Sequence, residues 1–283
     1  MIKVKDIRII LNDSLGNYFP ETELRAFHRL ILDHFCGYSP AQTLLHVEDE
    51  LDENIVKSII ECITQLTEGR PIQYILGYAC FYGYQFCVGP GVLIPRPETE
   101  ELVEWILKES TQANNILDVG TGSGCIAITL ALRSQAKITA IDLSSVALTQ
   151  AQKNANDLNA EVKFILTDLF DIDQIDLLGT FDLIVSNPPY VLDSDKINME
   201  IHVLDHEPHE ALFVPNHDAL KYYKALAELA FKKLNPGGEL YLEIHEEKAT
   251  QVIQMLELNG FKSVILKKDF QGKDRMVKAI CIS

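Results

Sequence analysis

The chain has 283 residues, 47% hydrophobic and 23% charged, which is enough for one large globular domain and a smaller companion. Its 25 Lys and Arg against 41 Asp and Glu give a net charge of −16, which argues against a broad phosphate-binding face and hence against a direct nucleic-acid partner. No apolar run approaches the roughly 20 residues of a membrane span, the N-terminus lacks the apolar stretch of a signal peptide, and six cysteines with no Cys-x-x-Cys pair suit a reducing compartment; a cytoplasmic protein, monomeric by default, is expected.

Residues 1–77 read as a small helical domain. Leu24, Phe27, Leu30 and Ile31 recur at helical spacing, as do Ile55, Ile59, Ile60, Ile63 and Leu66, with Pro20 and Gly37-Tyr38-Ser39-Pro40 as punctuation. Residues 78–95 alternate aromatics with glycines, Gly89-Pro90-Gly91 marks a turn, and the stretch predicts a β-hairpin linker. From 96 to 283 the texture is that of alternating strands and helices. Pro95-Arg96-Pro97 leads into a helix with Leu102, Val103, Ile106 and Leu107 on its apolar face. Strands follow at Asn115–Val119, Ala136–Ile141, Val162–Leu166, Phe181–Ser186, Glu239–Ile244, Lys262–Lys267 and Met276–Cys281. The fold class expected is α/β, a doubly wound, seven-stranded, mostly parallel sheet with a small helical bundle in front of it.

In such sheets ligands sit beyond the carboxyl ends of the strands, and that is where the chemistry-bearing residues fall. Asp118-Val119-Gly120-Thr121-Gly122-Ser123-Gly124 ends one strand and opens a helix; its glycines permit a tight turn and close backbone approach. Asp142, followed by Leu143, ends the next strand about 20 residues on, where an acid takes ribose hydroxyls. Asp168, with Leu169 and Phe170 as apolar cover, is placed to meet an adenine amine. Asn187-Pro188-Pro189-Tyr190 closes the fourth strand. Proline fixes φ and donates no hydrogen bond, so this tetrapeptide is a rigid platform of acceptors rather than more sheet. Two acceptors on one planar NH2 group, with an aromatic ring alongside, form a receptor for an amide or an exocyclic amine.

Three strand ends that describe a nucleoside pocket, beside an amine receptor, point to S-adenosylmethionine and a methyl acceptor. Catalytic roles are expected of Asn187, Pro188 and Tyr190. The cofactor residues are Asp118, Gly120, Thr121, Gly122, Ser123, Gly124, Asp142, Leu143, Asp168, Leu169 and Asn187. Acceptor contacts are expected from Asn187 to Tyr190 and from Arg96 and Thr99. His202, His206, Glu207 and His209 are close in sequence, but Pro208 interrupts any helix there and no metal is expected.

The run Pro90 to Glu100 (PGVLIPRPETE), with FDLIVSNPPY, Glu207-Pro208 and the closing Lys268-Asp269-Phe270-Gln271-Gly272-Lys273-Asp274-Arg275, resembles the HemK-type release factor glutamine methyltransferases over nearly the whole chain. The resemblance implies a class I, S-adenosylmethionine-dependent enzyme that methylates the side-chain nitrogen of the glutamine in the Gly-Gly-Gln tripeptide of peptide chain release factors. It also implies that the helical domain helps hold that partner. Two stretches depart from the family pattern, Val214 to Leu220 and Glu243-Ile244-His245, and both are expected to lie off the platform. The same receptor serves a glutamine of a ribosomal protein, or a flipped adenine or guanine stacked on Tyr190.

Overall fold

In the computed structural model, residues 2–199 and 201–282 are described. They divide into two compact units. One runs up to Gly77 and takes in the short helix Ile201–His206; the other is Tyr78–Met199 with the chain from Glu207 onward.

The first unit is helical: Val4–Leu15, Glu21–Cys36, Pro40–Leu45, Glu53–Thr67 and Ile72–Leu76. Its core follows the helical period. Val4, Ile7, Leu11 and Leu15 line one face of the first helix, and Leu24, Phe27 and Ile31 with Ile59, Cys62, Ile63 and Leu66 complete it. The second helix ends on Gly37, whose left-handed backbone (φ +69°) lets its N–H close on the Asp33 carbonyl. Phe19 packs against Phe27 and against the ring of His202.

The second unit carries a seven-stranded sheet. Its spatial order is Lys262–Lys268, Asp274–Ile280, Leu234–Glu243, Phe181–Ser186, Asn115–Val119, Lys137–Asp142 and Val162–Leu166. The Asp274–Ile280 strand runs antiparallel to the other six. The central strands bury apolar side chains on both faces, as expected where helices cover both. Leu117, Val119, Ile184, Leu240 and Leu242 belong to the layer closed by Tyr223, Leu226 and Val252, whereas Ile116, Leu183, Val185 and Tyr241 face Leu102, Ile106 and Ile128. Strand order reverses between Asn115–Val119 and Phe181–Ser186, the switch point beyond which sheets of this kind place their ligands.

The hairpin is shorter than the sequence reading. Strands Tyr78–Phe81 and Tyr84–Cys87 pair around Tyr82-Gly83, whose positive φ values (50° and 80°) are those of a tight two-residue turn. Gly89-Pro90-Gly91 instead opens an irregular segment that runs to Arg96. Phe81 and Phe86 are fully buried in the same cluster as Leu102 and Trp105, so the hairpin is part of the sheet unit's core. Between Val191 and Asp218 the chain makes an excursion of short strands and single-turn helices that apolar periodicity did not reveal. Among the described residues no helix is long and apolar enough to cross a membrane, and no three His, Cys, Asp or Glu side chains are grouped to hold a metal ion.

Candidate active site

A cavity of about 320 Å³ opens at the carboxyl ends of the central strands, within the range of small-molecule sites, roughly 300–1,000 Å³. Gly120 to Ser123 of the glycine loop, Asp142 and Leu143, Asp168 to Phe170, and Ser186 to Pro189 form its walls, with Pro95 and Arg96 from the segment before the helix Pro97–Glu109 and Thr99 from that helix's first turn. Nearly every residue singled out in the sequence therefore lines one space. Asp118, Gly124 and Tyr190 do not.

Asp118 lies beneath the glycine loop with no exposed surface. Its Oδ2 accepts from Thr121 Oγ1 at 2.7 Å and from the Ala127 N–H at 3.2 Å, while Oδ1 has no partner among the described residues. Burial pushes its carboxyl from 3.8 up to about 7, opposed by those two hydrogen bonds, with the charge of Asp142 adding to the rise. This acid braces the loop from below. Because its folded pKa is raised, its proton is held more tightly in the native state than in the unfolded chain. Its stabilising contribution is complete below about pH 4 and disappears as pH rises through about 7, at up to about 1.4 kcal/mol per pH unit. Urea unfolding from pH 4 to 7.5 is expected to show the wild type losing stability relative to Asp118→Asn, which cannot titrate; a constant difference between the two would contradict this account.

The loop itself is fixed by Asp142. Its Oδ2 accepts from the Gly122 N–H and its Oδ1 from the Ser144 N–H, both at 2.8 Å, and Ser144 Oγ in turn caps the following helix through Ala147. Burial raises the Asp142 carboxyl, opposed by the backbone donors. Each carboxylate oxygen retains a second lone pair for hydroxyl groups in the cavity. Gly120 and Gly122 have φ of +74° and +56°, and a side chain at either would meet no protein atom within 4 Å, so the loop backbone is bare where it meets the cavity. Gly124 differs: an added Cβ would lie 2.7 Å from Ile128 Cδ1, so this glycine serves close helix packing. Asn154, buried in the next helix, was missed in the sequence; its Nδ2 donates to the Ser123 and Cys87 carbonyls at 2.9 and 3.0 Å and ties the loop to the hairpin. Asp168 Oδ1 accepts from the Phe170 N–H at 2.9 Å.

On the opposite wall, Ser186 Oγ donates to the Val119 carbonyl at 2.7 Å and locks the two switch-point strands together. Asn187 follows, and its Nδ2 donates to Thr99 Oγ1 at 3.0 Å. Thr99, 2% exposed, donates onward to Glu243 Oε2 at 2.7 Å. The Tyr190 hydroxyl donates to the other oxygen, Glu243 Oε1, at 3.0 Å. Burial raises both acids of this pair, the Tyr190 phenol well above its usual value; at Glu243 the bonds from Thr99 and Tyr190 and the charge of Arg275 oppose the rise.

Glu243 and His245 were expected to lie off the platform. Glu243 instead joins two of its side chains, and the His245 ring meets Tyr190 edge-on at 6.1 Å. Thr99 and Tyr190, which they meet at the platform, lie 53 or more residues away in sequence, so no local spacing announces these contacts. Glu207, noted in the sequence with Pro208 but given no role there, also belongs to the site. Its buried carboxylate accepts from Arg96 Nη2 at 2.6 Å and from the Ile94 N–H at 3.1 Å, and so pins the segment that carries Arg96 and Thr99 to the site.

Comparison with known proteins agrees with this geometry. Residues 12–77 match the family described as PrmC N-terminal domain and residues 110–275 the family described as Methyltransferase domain. The chain is 44% identical over 275 residues to the release factor glutamine methyltransferase of Bacteroides thetaiotaomicron, covering 96% of this chain and 98% of that one. It is 42% identical over 281 residues to the protein of the same name from Flavobacterium psychrophilum, covering 97% and 98%. In fold it is similar to a methyltransferase from Pyrococcus furiosus, with a TM-score of 0.53 at 19% identity over 82% of this chain and all of that one. The chain belongs to the release factor glutamine methyltransferase family.

Proposed function

We propose that the protein transfers a methyl group from S-adenosylmethionine to the side-chain nitrogen (N5) of the glutamine in the Gly-Gly-Gln tripeptide of peptide chain release factors. The observation that carries the reading is the commitment of the Asn187 amide group to Thr99, which leaves the Asn187 carbonyl oxygen as the acceptor beside the cavity. When bound, S-adenosylmethionine supplies an electrophilic methyl group on a sulfonium. The walls fit that molecule: the bare backbone of Gly120 and Gly122 with Thr121 and Ser123 as a cradle, Asp142 and Leu143 for the ribose hydroxyls, Asp168 and Leu169 for the adenine amine. Asp118 supports the cradle from beneath.

An amide nitrogen is a poor nucleophile because its lone pair is delocalised into the carbonyl. Asn187 Oδ1 and the Pro188 carbonyl accept the two amide hydrogens of the glutamine, hold its NH2 group in place, and stabilise positive charge that develops on nitrogen. Pro189 keeps the backbone rigid. Placement of this kind contributes part of the roughly 7–11 kcal/mol available to proximity. The methylated amide is strongly acidic and gives its proton to water, so no general base is needed. Arg96, held by Glu207, and Thr99 form the floor on which the glutamine rests.

Residues 1–77 are assigned to recognition of the release factor, 78–95 to the connection and 96–283 to methyl transfer. A protein acceptor suits the charge distribution better than a nucleic acid does. In the basic stretch 262–278, Lys268, Lys273, Arg275 and Lys278 are all ion-paired with acids of the same unit, and Lys267 sits over the Trp105 ring. Tandem mass spectrometry of a release factor incubated with the protein and S-adenosylmethionine tests the assignment. The added methyl is expected on the side chain of the tripeptide glutamine; a methyl located on any other residue would overturn it.

A further inference from the structure

We propose that Glu243 is a positioning residue that fixes the hydrogen-bond polarity of the amide receptor, acting on Asn187 through Thr99. The inference rests on the function proposed above and adds to it what holds the receptor in its working orientation.

An asparagine side chain is nearly symmetric in shape but opposite in chemistry at its two ends. With the oxygen toward the acceptor it receives an amide NH2 group; rotated by half a turn it presents its own NH2 group and repels it. Nothing in Asn187-Pro188-Pro189-Tyr190 itself selects one orientation. The selection comes from a chain of groups that can each act in one sense only. A carboxylate is acceptor-only. Glu243, with no exposed surface, therefore takes the single hydroxyl proton of Thr99 at 2.7 Å. With that proton spent, Thr99 Oγ1 meets Asn187 only as an acceptor, and only the Nδ2 end of Asn187 can face it, as it does at 3.0 Å. The second Glu243 oxygen is taken by the Tyr190 hydroxyl at 3.0 Å, so one buried carboxylate sets the outer two side chains of the platform at once. Thr99 lies at the start of the helix Pro97–Glu109 and Glu243 at the end of the strand Leu234–Glu243. The polarity of the receptor is thus set by two elements outside the tetrapeptide.

The test compares Thr99→Val, Thr99→Ser and Glu243→Met. Valine keeps the shape of Thr99 and removes its oxygen; methionine fills much of the space of Glu243 without a strong acceptor. With a release factor as acceptor, Thr99→Val and Glu243→Met are each expected to lower kcat by about 10²-fold, the scale of losing one aligned polar group at a reacting centre, with KM for the release factor and Kd for S-adenosylmethionine within a few fold of wild type. Thr99→Ser restores most of the turnover lost in Thr99→Val. The loss in the Thr99→Val, Glu243→Met double variant is expected to fall well short of the product of the two single losses, because the two residues act in series on Asn187. A readout that needs no turnover accompanies these: in NMR of the free protein the Asn187 side-chain NH2 protons exchange slowly with solvent, and in Thr99→Val they exchange rapidly. A kcat within threefold of wild type in Thr99→Val, a loss confined to KM or to cofactor affinity, or unchanged Asn187 exchange would overturn the proposal. A wild-type protein that protects the Asn187 NH2 group yet methylates no release factor would instead overturn the proposed substrate and leave the positioning role standing.

Discussion

Asn187→Ala is expected to slow methyl transfer to a release factor by about 10²–10³-fold, equivalent to about 2.7–4 kcal/mol of transition-state stabilisation. Asn187 Oδ1 is one of two acceptors proposed to hold the glutamine NH2 group, and its own Nδ2 is already bound to Thr99. The flanking backbone does not depend on the side chain, since Ser186 before it is tied to Val119 and Pro188 and Pro189 follow it. The fold should therefore persist and S-adenosylmethionine should bind within a few fold of its normal affinity. Single-turnover transfer of labelled methyl, paired with calorimetric titration of the cofactor, separates the two quantities. A variant that turns over normally would remove Asn187 from the mechanism, and one that loses cofactor binding would move it to the other wall of the site.

The second large effect is expected at Asp142, and in the opposite quantity. Asp142→Ala strips two charge-assisted bonds from backbone N–H groups, one at Gly122 in the glycine loop and one at Ser144 ahead of the next helix, each worth about 1.5–3 kcal/mol. It also removes the oxygens proposed to receive the ribose hydroxyls. Kd for S-adenosylmethionine should rise by about 10²–10³-fold, while kcat measured at saturating cofactor changes little, because the residue binds the cofactor equally before and during transfer. Calorimetry and steady-state kinetics check the split. An unchanged Kd would show that the loop and the ribose site stand without this acid.

Much of this arrangement was legible because it is local. Strands such as Asn115–Val119 and Phe181–Ser186 are short apolar runs that end on Asp118 and Asn187, and the doubly wound rule says what the ends of such strands do. Glycines at 120 and 122 mark a backbone that must turn with positive φ, and prolines at 188 and 189 mark a place where the sheet must stop. The residues that hold these pieces together were not legible, for a physical reason. Glu243 meets Thr99 across 144 positions, Glu207 meets Arg96 across 111, and Asn154 meets Cys87 across 67. No periodicity joins such pairs, and a buried glutamate at the end of an apolar strand reads as the edge of a loop until the fold brings its partner to it. The sequence also has no device for the excursion from Val191 to Asp218, whose elements are two to six residues long and too short to express a period. Likewise Gly89-Pro90-Gly91 looked like the hairpin turn, whereas Tyr82-Gly83 makes it. Turn chemistry marks where a chain bends, not which bend pairs two strands.

The most direct test of the central claim is the transfer of labelled methyl from S-adenosylmethionine to a purified release factor, beside a release factor that carries Gln→Glu in its Gly-Gly-Gln tripeptide. A receptor built from acceptors for an amide NH2 group predicts label on the first and none on the second, because a carboxylate offers it no hydrogens. Equal label on both would place the methyl elsewhere on the partner and contradict the amide-receptor reading of Asn187 to Tyr190.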